Sequence, residues 1–160
     1  MYIQKVLEYA LQREYEGKRF FEENSARLQN AAAVGAFKAI AAEEQKHIEF
    51  IQSHLNAVKD GKSAPAPELP KAGFFADRAE SQNIVDTVAE AMVADLPVLR
   101  MAYLIERDFA EFYAQMAEKA DGEGKNVLEM LAKWEAGHER LFKRLHDEAF
   151  QKYAEMPWGG

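Results

Sequence analysis

Ala41-Ala42-Glu43-Glu44-Gln45-Lys46-His47 and Lys133-Trp134-Glu135-Ala136-Gly137-His138 each contain a Glu-x-x-His step. Each step follows a lone glutamate set in an apolar stripe: Glu44 comes 30 residues after Glu14, and Glu135 comes 29 residues after Glu106. On a helix, residues three apart lie about 4.5 Å apart along the axis and about 60° around it, so one ion can reach both side chains. One such step carries little weight in a chain this rich in glutamate. Two copies in matching register are harder to obtain by accident. They offer four carboxylates and two imidazoles, the ligand set of a carboxylate-bridged pair of iron or manganese ions in a four-helix bundle.

The stripes around these residues predict four long helices. From Ile3 the inward positions run Ile3, Leu7, Ala10, Glu14, Gly17, Phe21, Asn24 and Leu28, stepping by four and three as the seam of a bundle helix does. The second stripe is Phe37, Ile40, Glu44, His47, Ile51, His54, Leu55 and Val58, closed by Asp60-Gly61. The third is Leu99, Ala102, Glu106, Phe109, Tyr113, Met116 and Ala120, with Asp95 as the expected N-cap and Pro97 in the first turn. Asp121-Gly122-Glu123-Gly124 reads as a tight break, and a fourth helix follows over about 125–150 through Leu128, Leu131, Glu135, His138, Leu141, Phe142 and Leu145. Ala10/Ala102, Glu14/Glu106 and Phe20/Phe112 match at an offset of 92, and Ala41/Ala132, Glu44/Glu135 and His47/His138 at 91. The chain is therefore read as two related helical hairpins, residues 3–59 and 96–150. Between them, residues 60–94 contain a proline-rich irregular stretch and a short amphipathic helix at about 79–93 using Ile84, Val85, Val88 and Met92. A connection of that length can travel the length of a bundle. The expected fold is all-α, one ferritin-like four-helix domain over residues 1–160.

Composition narrows the function. The net charge is −7 with no basic stripe, which argues against nucleic acid and anionic membranes as partners. Two divalent ions would offset four ligand carboxylates inside the bundle. The 160 residues contain no cysteine, which removes disulfides, cysteine nucleophiles and cysteine-ligated iron from consideration within them. No apolar run approaches membrane-spanning length and Met1-Tyr2-Ile3-Gln4-Lys5 lacks a signal-peptide hydrophobic region, so a cytoplasmic address is expected.

Glu43, Glu49, Glu111, Glu118 and Glu139 lie off the apolar seams and read as solvated helix surface. Glu14 and Glu106 each replace an apolar residue in mid-stripe, and a buried carboxylate without a partner is strongly unfavourable, so metal coordination is the expected compensation. The candidate ligands are Glu14, Glu44, His47, Glu106, Glu135 and His138. Gly17, one turn beyond Glu14, either opens space for dioxygen or peroxide or permits close helix packing. Tyr113 either donates a hydrogen bond or an electron to the site or is a core tyrosine. His54 lies about 10 Å along the axis from His47, too far to share its centre. His146 reads as a surface histidine, and Trp134 as core beside a ligand.

The runs Glu14-Tyr15-Glu16-Gly17-Lys18-Arg19-Phe20-Phe21, Ala41 to His47, Glu106-Arg107-Asp108-Phe109-Ala110-Glu111-Phe112-Tyr113 and Lys133 to His138 resemble the rubrerythrin family of ferritin-like proteins, over about residues 3–150. The resemblance implies that Glu44 and Glu135 bridge two metals, with Glu14 and His47 completing one end and Glu106 and His138 the other. Three positions depart from the family. Its members typically add a cysteine-rich rubredoxin domain that delivers electrons, and these residues hold none. A second glutamate usually follows three residues after the third-helix ligand; here that position is Phe109. A tyrosine often follows seven residues after each single-glutamate ligand; Tyr113 keeps it, whereas the first hairpin has Phe21.

The resulting expectation is a redox enzyme with two iron ions, or manganese or a mixed pair, and with zinc able to occupy the site in a purified sample. Hydrogen peroxide or dioxygen would be the oxidant, and an external electron donor or incoming Fe(II) the reductant, in a rubrerythrin-like peroxidase or ferroxidase. Tyr113 is the candidate catalytic side chain. The alternatives are a carrier or sensor of iron or manganese, and an oxygenase of an organic substrate. Self-association as a homodimer is expected from the resemblance and from Phe74 and Phe75; in the carrier or sensor reading Phe74, Phe75 and Trp158 are the candidate contacts for a partner, with buried packing as the other account of them.

Overall fold

The structure, a computed structural model, describes residues 3–61 and 89–156, with only the backbone described for residues 89–93. The four apolar stripes form α1 (Ile3–Ser25), α2 (Ala31–Lys59), α3 (Ala89–Lys119) and α4 (Gly122–Glu155), and among the described residues there is no strand. Asn30 caps α2, its side chain accepting the Ala33 N–H at 3.0 Å from an extended backbone. At the other end of α2 the chain turns through Gly61, whose φ of +67° is in the left-handed region that glycine adopts without steric cost. The second hairpin turns at Ala120 and Asp121, and α4 already begins at Gly122 rather than near residue 125.

Contacts between the hairpins fix the helix directions. Ile3 lies against Gly124, the Tyr113 hydroxyl meets Glu14, and Leu28 shares a cluster with Leu99 and Leu145, so α1 runs antiparallel to α3. Phe37 stacks edge-on with Phe142 and Phe50 with Trp134, so α2 runs antiparallel to α4. It follows that α2 and α3 point the same way: α2 finishes at the Ile3/Gly124 end, and α3 enters beside Gln29 and Asn30 at the other. This up-down-down-up order is that of a ferritin-like bundle.

The core has two apolar layers. One gathers Phe21, Leu28, Phe37, Ile40, Leu99, Phe142 and Leu145, its phenyl rings about 5.2 Å apart in edge-on and stacked pairs. The other gathers Leu7, Phe50, Ile51, Leu55, Phe109, Leu128, Leu131 and Trp134. Fully burying each such side chain contributes about 1.5–3 kcal/mol, and these layers hold the helices in place around what lies between them.

Two expectations are corrected here. Asp95 does not cap α3, and no separate short helix ends at residue 93: α3 already runs from Ala89, so Pro97 lies inside it. Proline there leaves one backbone carbonyl of the preceding turn without its helical N–H, a cost the helix carries because its seam is packed on both sides. Asp95 is instead fully buried, and its carboxylate accepts the backbone N–H groups of Gln29 at 2.8 Å and Asn30 at 2.9 Å. It secures the α1–α2 turn from the opposite hairpin. The rest of the proposed short helix, Phe74, Phe75 and Trp158 lie outside the described residues, and the side chain of Met92 is likewise not described.

Candidate metal centre

Each helix of the bundle contributes to one layer between the two apolar clusters. The four-and-three spacing that turns Leu7, Ala10 and Phe21 inward also turns Glu14 inward, and the same register in α3 turns Glu106 inward; both are fully buried. Helix α2 supplies Glu44 and His47, and α4 supplies Glu135 and His138, with both glutamates fully buried and the imidazoles nearly so. His47 Nδ1 lies 2.9 Å from Glu135 Oε1, 3.6 Å from Glu14 Oε2 and 3.7 Å from Glu44 Oε2. His138 Nδ1 lies 3.1 Å from Glu44 Oε1, 3.3 Å from Glu135 Oε2 and 3.5 Å from Glu106 Oε2. The two imidazoles are parallel, with centroids 5.5 Å apart.

Among the described residues these side chains form two groups whose ligand atoms lie within 4.8 Å of one another: Glu14, Glu44, His47 and Glu135, and Glu44, Glu106, Glu135 and His138. Glu44 and Glu135 belong to both. Whether the layer suits a cation is tested by its own unmet demands. Glu14 Oε2, Glu44 Oε2, both oxygens of Glu106 and Glu135 Oε2 are buried without a hydrogen-bond donor. Five orphaned carboxylate oxygens in one layer would be heavily destabilising if left so, and a cation between them satisfies them together. The donors are all hard oxygens and imidazole nitrogens, which suit iron, manganese and zinc. The residues fit a pair of metal ions.

The protonation pattern of the metal-free layer carries the same strain. Burial, then the Glu44 charge, pushes the Glu14 carboxyl up to about 7. Burial with the charges of Glu135 and Glu44 pushes Glu106 well above the carboxylate range. Burial works against charge on the two histidines too, but carboxylates outweigh it: Glu135, Glu44 and Glu14 raise His47, and chiefly Glu106 raises His138. Protons on these groups offset part of the repulsion among the carboxylates.

Neighbouring side chains complete the surroundings. The Tyr113 hydroxyl donates to Glu14 Oε1 at 2.6 Å, and burial with the Glu14 charge holds the phenol well above its usual range, so it keeps its proton. Trp134 stacks on His47 with centroids 5.1 Å apart. Glu43, read from its off-seam position as solvated surface, instead bonds His138 Nε2, its side chain only 14% exposed. A signal for it existed: in the internal repeat its counterpart is Trp134, a poor choice for a fully solvated position. Gly17 is filled rather than open, since a Cβ there would come within 2.9 Å of the Phe109 ring. Over that ring lies the Arg13 guanidinium, 5.7 Å from its centroid. His54 stays apart from the layer, edge-on to Phe50, lining a cavity of about 90 Å³ at the bundle end with Ile3, Leu7 and Glu123. His146 is also apart, against Tyr103 and hydrogen-bonded to Asp147.

No helix among the described residues is long and apolar enough to cross a membrane. No curated protein and no solved structure is significantly similar to the chain. The rubrerythrin family model matches residues 5–146, a span holding most of the four helices and all six residues of the buried layer. The chain belongs to the rubrerythrin family.

Proposed function

We propose that this protein binds two metal ions, iron foremost, through Glu14, Glu44, His47, Glu106, Glu135 and His138, and uses them to reduce hydrogen peroxide or dioxygen. The observation that carries this reading is the pair of overlapping carboxylate–imidazole groups that share Glu44 and Glu135. In that arrangement Glu14 and His47 would hold one ion and Glu106 and His138 the other, with Glu44 and Glu135 available to both. Two ferrous ions held there would supply one electron each, and reduction of one hydrogen peroxide to two waters takes two electrons and two protons.

The chain's own residues set the conditions for that chemistry. The apolar layers on both sides keep bulk water out and strengthen every electrostatic contact within. Tyr113 keeps its hydroxyl proton, donated in a hydrogen bond to Glu14 Oε1 at 2.6 Å, and is a positioned donor beside the layer. Phe109 lies against Gly17 and beneath Arg13 and has no ligating atom, so the ligand set stays at six rather than exchanging with a seventh carboxylate. Because these residues contain no cysteine, the electrons come from an external donor or from incoming Fe(II) itself. Self-association as a homodimer belongs to the same reading, and sedimentation of the purified chain tests it.

Anaerobic titration with Fe(II), followed by separate mixing with peroxide and with dioxygen, tests the proposal. Saturation at two ions per chain and rapid oxidation by one of the two oxidants are expected. Uptake without accelerated consumption of either oxidant would leave a carrier or sensor as the function. Tyr113→Phe should keep the two-ion stoichiometry while slowing the oxidation step by about 100-fold, the lower range for loss of a positioned proton donor. An unchanged rate would remove Tyr113 from the mechanism.

A further inference from the structure

We infer that the two metal positions are unequal, that the Glu106–His138 end takes the first divalent ion, and that Glu43 is the positioning residue responsible. This rests on the two-metal reading above and concerns how this chain departs from its own internal symmetry.

Glu43 and Trp134 are counterparts in the repeat: each directly precedes a glutamate common to both groups, and each touches the histidine of the other hairpin. Their chemistry is opposite. Glu43 presents a carboxylate to His138 Nε2. A carboxylate accepting that N–H selects the tautomer whose Nδ1 lone pair faces Glu44, Glu106 and Glu135, and it makes that nitrogen a stronger donor to a cation. Trp134 lays its ring on the face of His47 at a 20° interplanar angle. An indole has an N–H to give and no lone pair to accept one, so it does not enhance His47 in the same way.

The two single carboxylates differ in the same sense. Glu14 Oε1 already accepts the Tyr113 hydroxyl at 2.6 Å, which withdraws electron density from it. Both oxygens of Glu106 are buried without a hydrogen bond, the nearest donor being His138 Nδ1 at 3.5 Å. A carboxylate lacking a close donor gains most from coordination. The imidazole and the carboxylate at the Glu106–His138 end are thus each the better ligand of its kind, while the bridging residues are common to both ends.

Calorimetric titration of metal-free protein with Co(II) under anaerobic conditions, followed also by the cobalt absorption bands, reads the two steps separately. Wild type should bind two ions in two resolved steps. Glu43→Gln keeps the side chain's shape and removes its charge; it should weaken the tighter step by about 10- to 100-fold and leave the weaker one unchanged, so that the steps merge. Glu14→Ala should retain the tight step and Glu106→Ala should lose it, with the helical circular dichroism signal of each metal-free variant matching wild type. The inference is overturned by two equal steps in wild type, by a tight step that survives Glu106→Ala but not Glu14→Ala, or by Glu43→Gln weakening both steps alike. Fewer than two ions bound to wild type would instead sink the two-metal reading on which it stands.

Discussion

Glu14 is fully buried with one oxygen 3.6 Å from His47 Nδ1, and burial together with the Glu44 charge raises its carboxyl to about 7. In the metal-free protein the folded chain therefore keeps a proton that the unfolded chain releases above its ordinary value of 4.5. Stability from this group is fully present below that value and is lost as pH rises through the folded one, by on the order of 3 kcal/mol across the window. The raised histidines, His47 and His138, act in the same direction above 6.5, whereas the lowered Glu44 and Glu135 act oppositely, at the acid end of the range. Glu14→Gln imitates the protonated form at every pH. Urea denaturation of metal-free protein should find this variant more stable than wild type at pH 8 and equal to it near pH 4. A difference that did not change with pH would show that Glu14 is not held protonated by its surroundings.

At the level of elements, the α1–α2 turn depends on a residue more than sixty positions away. Asp95→Ala would strip the Gln29 and Asn30 N–H groups of their acceptor in a buried setting, at a cost of about 2–4 kcal/mol in denaturant-derived stability. A loss below about 0.5 kcal/mol, the range of an ordinary surface substitution, would mean water replaces the carboxylate there. The α1–α3 contact is set by Gly17, where alanine would gain about 1 kcal/mol in helix propensity but press a methyl group into the Phe109 ring. Phe109 is buried with the Arg13 guanidinium over its ring, so overpacking at about 1–3 kcal/mol should outweigh the gain. Gly17→Ala should therefore destabilise the protein, and Phe109→Leu in the same chain should recover part of the loss; simple additivity of the two changes would refute the contact. The stripes offered close packing at Gly17 as one of two readings without naming its partner, and gave no sign of what Asp95 holds. Periodicity tells which face of a helix turns inward, but not which residue of another helix fills the space opposite it. Asp95 before Pro97 has the form of a helix start, and only its partners across the bundle show another use.

For the whole molecule, four buried carboxylates in one layer repel one another in the metal-free bundle, and bound ions would replace that repulsion with coordination. Fe(II), Mn(II) or Zn(II) should raise the melting temperature at neutral pH, since a ligand present at 100 times its dissociation constant adds about 2.7 kcal/mol. The gain should shrink in acid, where protons compete for the same oxygens and nitrogens. Glu14→Ala and Glu106→Ala should show a smaller metal-induced rise than wild type. Melting that ignored metal at neutral pH would count heavily against the site.

The helical hairpins, the inward face of each seam apart from the exposed Val58, and the candidate ligands Glu14, Glu44, His47, Glu106, Glu135 and His138 were readable from residue spacing. The reason is physical: a helix repeats every 3.6 residues, so a side chain's place in the stripe states whether it turns inward, and an ionisable group in that place demands a partner. Packing between helices settled the remainder. That Glu43 reaches His138, that Asp95 holds a distant turn and that Phe109 fills the space at Gly17 all depend on how far each helix is rotated and slid against its neighbours. Rotation and sliding follow from the fit of all the buried side chains at once, and the spacing along one helix holds no record of it.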